Sequence, residues 1–140
     1  MHTVNGGCHC GNIRVELALT AAPGDYAPRE CDCAFCRKHR AAYVSDPRGS
    51  LLISVRDERQ SGRYRQGSGQ AEMLLCRNCG VLVGALYRDG ARTYAAANAS
   101  AADAQFGTRQ PVSPATLSDA DKVRRWKDLW FSEVTIRADR

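Results

Sequence analysis

A chain of 140 residues, 44% hydrophobic and 25% charged, has the length for one domain with a sizeable core and the composition of an ordinary globular protein. No apolar run approaches the roughly 18 residues of a membrane-spanning helix. The opening MHTVNGGCHCG has neither the basic start nor the apolar stretch of a secretory leader, so a cytoplasmic protein of one domain over 1–140 is expected. The formal charge of +5 invites an acidic partner, but that sum counts seven cysteines as neutral thiols.

In chain order, NIRVELAL is the first clear element. Ile13, Val15, Leu17 and Leu19 fall on one face and Arg14 and Glu16 on the other, the alternation of a half-buried strand. SLLISVR, from Ser50, is a short strand after the turn signal SDPRGS. EMLL enters Cys76 and VLVGALY leaves after Gly80, so CRNCG reads as the turn of a hairpin. ARTYAAA and EVTIRA are weaker strands, giving about six in a mainly β domain. Residues 95–115 read mostly as a loop wrapping the domain, with a helical turn at SAADAQ. In SDADKVRRWKDLW, Ser118 stands three residues before Asp121 as an N-cap, and Val123, Trp126, Leu129 and Trp130 follow at helical spacing. This predicts a short C-terminal helix packed on the sheet.

The cysteines form three clusters: Cys8 and Cys10, then Cys31, Cys33 and Cys36, then Cys76 and Cys79. An odd count leaves one thiol over in any all-disulfide scheme, and such close spacings are typical of metal ligands. A tetrahedral thiolate site takes two pairs converging from distant parts of the chain. CRNCG has the form of a zinc knuckle, with Gly80 free to take φ > 0 as the chain leaves. Joining Cys8 and Cys10 to Cys76 and Cys79 closes a four-sulfur site and leaves Cys31, Cys33 and Cys36 with one position open. The alternative, pairing two middle cysteines with the knuckle, strands three others, so the split into four and three is preferred. An iron–sulfur cluster competes, although the spacing matches no ferredoxin run. His39, three residues after Cys36, is an alternative fourth ligand; His9 points away if its neighbours are ligands, and His2 belongs to a frayed, solvated end. Seven thiolates holding two Zn²⁺ change the formal charge to 5 − 7 + 4 = +2, so the basic excess is not read as a nucleic-acid signal.

The ordered segments GGCHCGNIRVEL, CDCAFCRKH and YRQGSGQAEMLLCRNCGVLVG resemble the glutathione-dependent formaldehyde-activating enzyme family, which includes the centromere protein V domain. The resemblance covers residues 4–98 by motif, and residues 126–136 look like the family's closing segment. It implies a β-tent fold built around a structural zinc at Cys8, Cys10, Cys76 and Cys79. It also implies a catalytic zinc at Cys31, Cys33 and Cys36, with glutathione as co-substrate. The implied activity is a carbon–sulfur lyase forming or cleaving S-hydroxymethylglutathione from a small thiol and an aldehyde. Where many members carry a histidine and an aromatic residue before the second C-x-x-C, this chain has Glu72, Met73, Leu74 and Leu75.

On this reading the substrate thiol completes the three-sulfur site. Zn²⁺ with three thiolates has a net charge of 2 − 3 = −1 and suits an incoming thiolate that stays nucleophilic toward an aldehyde. The added charge calls for cations, and Arg37, Lys38 and Arg40, with Arg29, flank the cluster in sequence as candidates for the thiol substrate's carboxylates. Arg63 and Arg65 are further candidates. The competing classes are a zinc-stabilised binding module and a thiol redox or metal-handling protein working through the middle cysteines. A homo-oligomer stays open.

Overall fold

The computed structural model describes residues 1–138. The chain runs β1 (His2–Gly7), β2 (Ile13–Leu19), β3 (Arg29–Cys31), α1 (Ala34–His39), β4 (Ala42–Val44), β5 (Ser50–Val55), β6 (Ser61–Arg65), β7 (Glu72–Cys76), β8 (Leu82–Asp89), β9 (Arg92–Asn98), β10 (Gln110–Val112), α2 (Asp119–Leu129) and β11 (Glu133–Ala138). The strands form a four-stranded sheet of order β1-β2-β5-β11 and a seven-stranded sheet of order β10-β3-β4-β9-β8-β7-β6. Two pairings are parallel, β11 with β5 and β10 with β3.

The alternation in β2 has the consequence expected of it. Ile13, Val15, Leu17 and Leu19 are buried, facing the same core as Leu51, Ile53 and Val55 of the paired strand β5. Opposite them stand Leu74, Val83, Leu86, Ala95 and Ala97 of the larger sheet, and Phe131, fully buried, enters the same layer. The larger sheet is covered on its other face as well. Met73, Leu82, Ala85 and Ala96 meet Trp126 and Trp130 of the α2 segment there, together with Cys36 and Tyr43. Burial on both faces explains why VLVGALY and YAAA read as continuous apolar runs rather than alternating ones. A register shift between Leu74 and Leu75 also lets Val83 join Leu86 in the first layer while Leu82 and Ala85 face the second.

The fold is mainly β, as the sequence predicts, but with eleven strands among the described residues rather than six. His2 belongs to β1 and pairs with Leu19, so the start of the chain is held in the sheet rather than frayed. The stretch read as a loop over 95–115 begins instead inside β9, which holds residues 95–98, and it carries β10, which adds a parallel edge to β3. The C-terminal helix starts where its cap predicts: the Asp121 N–H donates to Ser118 Oγ at 3.1 Å. The shorter α1 was not anticipated; Cys33 is its N-cap, accepting from the Cys36 N–H at 3.4 Å.

Candidate functional site

Two tight turns from different sheets build the first cluster. One joins β1 to β2 and holds Cys8 and Cys10; the other joins β7 to β8 and holds Cys76 and Cys79. Both are closed alike: the Cys8 N–H donates to Ile13 O at 2.9 Å, and the Cys76 N–H donates to Val81 O at 3.0 Å. Each then turns through a glycine of positive φ, Gly11 at 84° and Gly80 at 81°, a conformation that strains any residue with a Cβ. The four sulfurs lie within 4.8 Å of one another, with Cys8 to Cys10 at 3.7 Å and Cys10 to Cys76 at 3.6 Å. Sulfurs bound tetrahedrally to Zn²⁺ at about 2.3 Å stand about 3.8 Å apart, so this group fits a zinc ion. Backbone N–H groups of Ile13 and Cys79 point at Cys8 Sγ and Cys76 Sγ from 3.2 and 3.5 Å. The thiols hold protons unequally. Burial pushes Cys8 up to about 11. For Cys79 the upward push of burial is outweighed by hydrogen bonds from the Cys10 and Val81 N–H groups, which take it down to about 6.

Cys31, at the end of β3, and Cys33 and Cys36, around the first turn of α1, form the second cluster, again within 4.8 Å of one another. Three donors fit a zinc ion with one position left for another ligand. Cys36 is buried and its Sγ lies 3.1 Å from the Tyr43 hydroxyl, while Gln66 Nε2 approaches Cys33 Sγ at 3.9 Å. A hydrogen bond from Cys36 draws the Cys31 thiol down to about 6; the same bond, with burial, pushes Cys36 well above the usual thiol range. Burial and the neighbouring Cys36 likewise raise the Tyr43 phenol.

The trio opens onto a cavity of about 120 Å³. Tyr43, Met73 and Ala85 form its floor on the larger sheet, and Gln66, Gly67 and Ser68 border it from the loop after β6. Trp126 and Trp130 close it from α2, stacked on each other with ring centroids 5.1 Å apart. Val112, Pro114 and Ala115 border it from the wrapping segment, which is held down by the bond from Ser113 Oγ to Asp32 Oδ2 at 2.5 Å.

Of the cations singled out by sequence, Arg29 lines this cavity. Arg37, Lys38 and Arg40 do not: α1 buries Cys36 and leaves all three exposed, away from the lining. Arg63 and Arg65 pair instead with Glu72, at 3.6 and 3.7 Å. The His39 ring lies tilted against Phe35, with centroids 4.7 Å apart, and is outside the sulfur group. Met73 of the divergent stretch faces the cavity, whereas Leu74 fills the inter-sheet core. Lys122 and Arg125 of α2 also line the cavity, and the sequence reading passed them over because they are far from every cysteine in the chain. Their signal was present in their spacing: Lys122, Arg125 and Trp126 fall at i, i+3 and i+4, on one helical face.

The sequence model of the glutathione-dependent formaldehyde-activating enzyme matches residues 3–118, a span that contains all seven cysteines. The chain belongs to the glutathione-dependent formaldehyde-activating enzyme family. A crystal structure of a Rhodobacter sphaeroides protein has the same fold, with a TM-score of 0.55 and 21% sequence identity over 96% of this chain and 99% of that one. In this member of the formaldehyde-activating family, the matched span carries both cysteine clusters, while Lys122, Arg125 and the two cavity tryptophans lie beyond it.

Proposed function

We propose that the chain is a zinc-dependent carbon–sulfur lyase that joins glutathione and formaldehyde into S-hydroxymethylglutathione, or splits that adduct. The observation that carries the reading is a three-sulfur cluster facing a cavity of mixed aromatic and cationic lining, with a separate four-sulfur cluster where a turn of one sheet meets a turn of the other. Cys8, Cys10, Cys76 and Cys79 would hold a structural zinc, and Cys31, Cys33 and Cys36 a second one. Zinc at the second site supplies a place where a thiol is kept as its thiolate at neutral pH.

The chain's own groups serve that chemistry in three ways. The Tyr43 hydroxyl lies 3.1 Å from Cys36 Sγ; with Cys36 as a zinc-bound thiolate it would donate a hydrogen bond that spreads the sulfur's charge and so tunes how strongly Cys36 holds the metal. Trp126, Trp130 and Met73 exclude water from one side of the cavity, which strengthens electrostatic contacts inside it. Arg29, Lys122 and Arg125 offset the negative charge that accumulates as a thiol loses its proton. In the net reaction sulfur bonds to the aldehyde carbon, and the proton given up by the thiol ends on the aldehyde oxygen.

All seven cysteines are unpaired, which supports a reducing compartment such as the cytoplasm. No helix among the described residues is long and apolar enough to cross a membrane. The test is zinc per chain by elemental analysis on protein purified without chelators, followed by the exchange rate between glutathione, formaldehyde and adduct by NMR. Two zinc ions and an exchange rate above that of the spontaneous reaction are expected. Two zinc ions with no acceleration would overturn the reading.

A further inference from the structure

Arg29, Lys122 and Arg125 share the lining of a single cavity, and no Asp or Glu is among the residues that line it. Among the described residues, none of the three is within ion-pair distance of a carboxylate; nearby acidic groups are engaged elsewhere, Asp121 with Arg124 at 3.2 Å and Asp32 with the Ser113 hydroxyl at 2.5 Å. Arg125 also borders a shallow groove on the adjoining face of α2 with Asp121 and Asp128, but forms an ion pair with neither. Arg29 is anchored on one side only: one of its Nη atoms donates to Ser45 Oγ at 2.6 Å, and Ser45 Oγ in turn donates to Leu129 O at 2.6 Å. That relay fixes the guanidinium against the start of the turn after α2 and leaves most of its donors unspent. Half-buried cations of like charge without carboxylate partners are costly unless an anion joins them.

Charge counting names the anion. Three thiolates around Zn²⁺ give 2 − 3 = −1, and three cations bring the cavity to −1 + 3 = +2. An incoming thiolate leaves +1. A thiol that also bears an uncompensated carboxylate closes the balance; glutathione, with two carboxylates and one ammonium group, does so as its thiolate.

We propose that Arg29, Lys122 and Arg125 form a carboxylate subsite that selects thiols carrying an acid group over neutral thiols. This deepens the lyase reading and rests on it for the thiol, although the carboxylate preference is measurable without catalysis. Two of its three cations lie on α2, after the residues 3–118 that match the family's sequence model. The guanidinium forks of Arg29 and Arg125 suit a carboxylate bidentately, with the Lys122 ammonium as a point charge beside them.

The experiment is calorimetric binding of 3-mercaptopropionate and 2-mercaptoethanol to the zinc-loaded protein, repeated with Lys122→Gln, Arg125→Gln and Arg125→Lys. Lys122 and Arg125 are only half-buried on a helix surface, so these variants avoid the Arg29–Ser45 relay that the fold uses. Wild type should bind the acid about 10- to 100-fold more tightly than the alcohol, the size expected of a hydrogen-bonded charge pair. Each Gln variant should lose most of that preference, and Arg125→Lys should keep part of it. A wild-type protein that binds both probes equally, or Gln variants that keep the preference, would overturn the subsite. If the preference behaves as expected but glutathione and formaldehyde show no accelerated exchange, the subsite stands and the lyase reading falls. If exchange is accelerated and the Gln variants discriminate like wild type, the lyase reading stands and the subsite falls.

Discussion

Cys33 has two separable jobs, which one substitution can divide. Its sulfur belongs to the trio, and it also caps α1 by accepting from the Cys36 N–H. Serine is among the best N-caps, so Cys33→Ser keeps the helix start while removing a ligand. Zinc should fall from two ions per chain to one, turnover should disappear, and the melting temperature should move by no more than a few degrees; elemental analysis beside a thermal melt reads all of this. Asp46 offers a different test. It is buried and accepts from Thr20 N–H and Oγ1, Tyr26 OH and Arg48 N–H at 2.5 to 2.9 Å. Burial alone would raise its carboxyl, but these donors outweigh it and hold the group at about 2, below the ordinary 3.8. The depressed value means the stabilisation, about 2 kcal/mol, is whole above about pH 5 and is lost as the pH falls through about 2. Urea midpoints measured from pH 6 to pH 2 should therefore drop more steeply for wild type than for Asp46→Ala, which starts from the lower value.

Among the elements, α2 connects stability to binding. Its Trp126 is nearly buried, stacked on Trp130 and set against Tyr87 with centroids 5.3 Å apart, and it lines the cavity. Trp126→Ala should cost about 3 kcal/mol in a urea titration, the lower end for a large aromatic because the vacated space already borders a cavity. How far the elements were legible depended on their length and on which faces they bury. β2, with one buried face, declared itself through Ile13, Val15, Leu17 and Leu19. The α2 start was readable from Ser118 because a cap is a local device. β4 gave no pattern, as its residues Ala42, Tyr43 and Val44 are all buried. β6, as Ser-Gly-Arg-Tyr-Arg, looks like a turn, and β10 contains a proline tolerated only at a sheet edge. The cysteine grouping could be read because spacing constrains ligands, whereas the cavity's cations could not: what brings Lys122 and Arg125 to the cavity that Cys31 lines is the packing of α2 on the sheet, not proximity in the chain.

Across the whole molecule, the four-sulfur cluster lies where the β1–β2 turn of one sheet meets the β7–β8 turn of the other. A zinc ion held there would fasten the two sheets at one end. Stripping it with a strong chelator should lower the melting temperature by at least about 10 °C, because binding energy at a structural zinc site is folding energy. Cys33→Ser, which touches only the trio, should leave that large component of stability in place, so the two perturbations are distinguishable in the same melt.

The two clusters also differ in when they can exist. Cys31, Cys33 and Cys36 span six residues, whereas Cys10 and Cys76 are 66 residues apart in the chain. A growing or refolding chain closes the short loops almost at once and pays for the long one late. On a ribosome the trio is complete 76 − 36 = 40 residues before the first knuckle sulfur of the other site has been made. The site proposed for chemistry is therefore the first to compete for metal, and the site proposed to fasten the fold is the last. Refolding should accordingly show an early zinc-uptake phase that precedes recovery of the native sheets, with its amplitude abolished in Cys33→Ser.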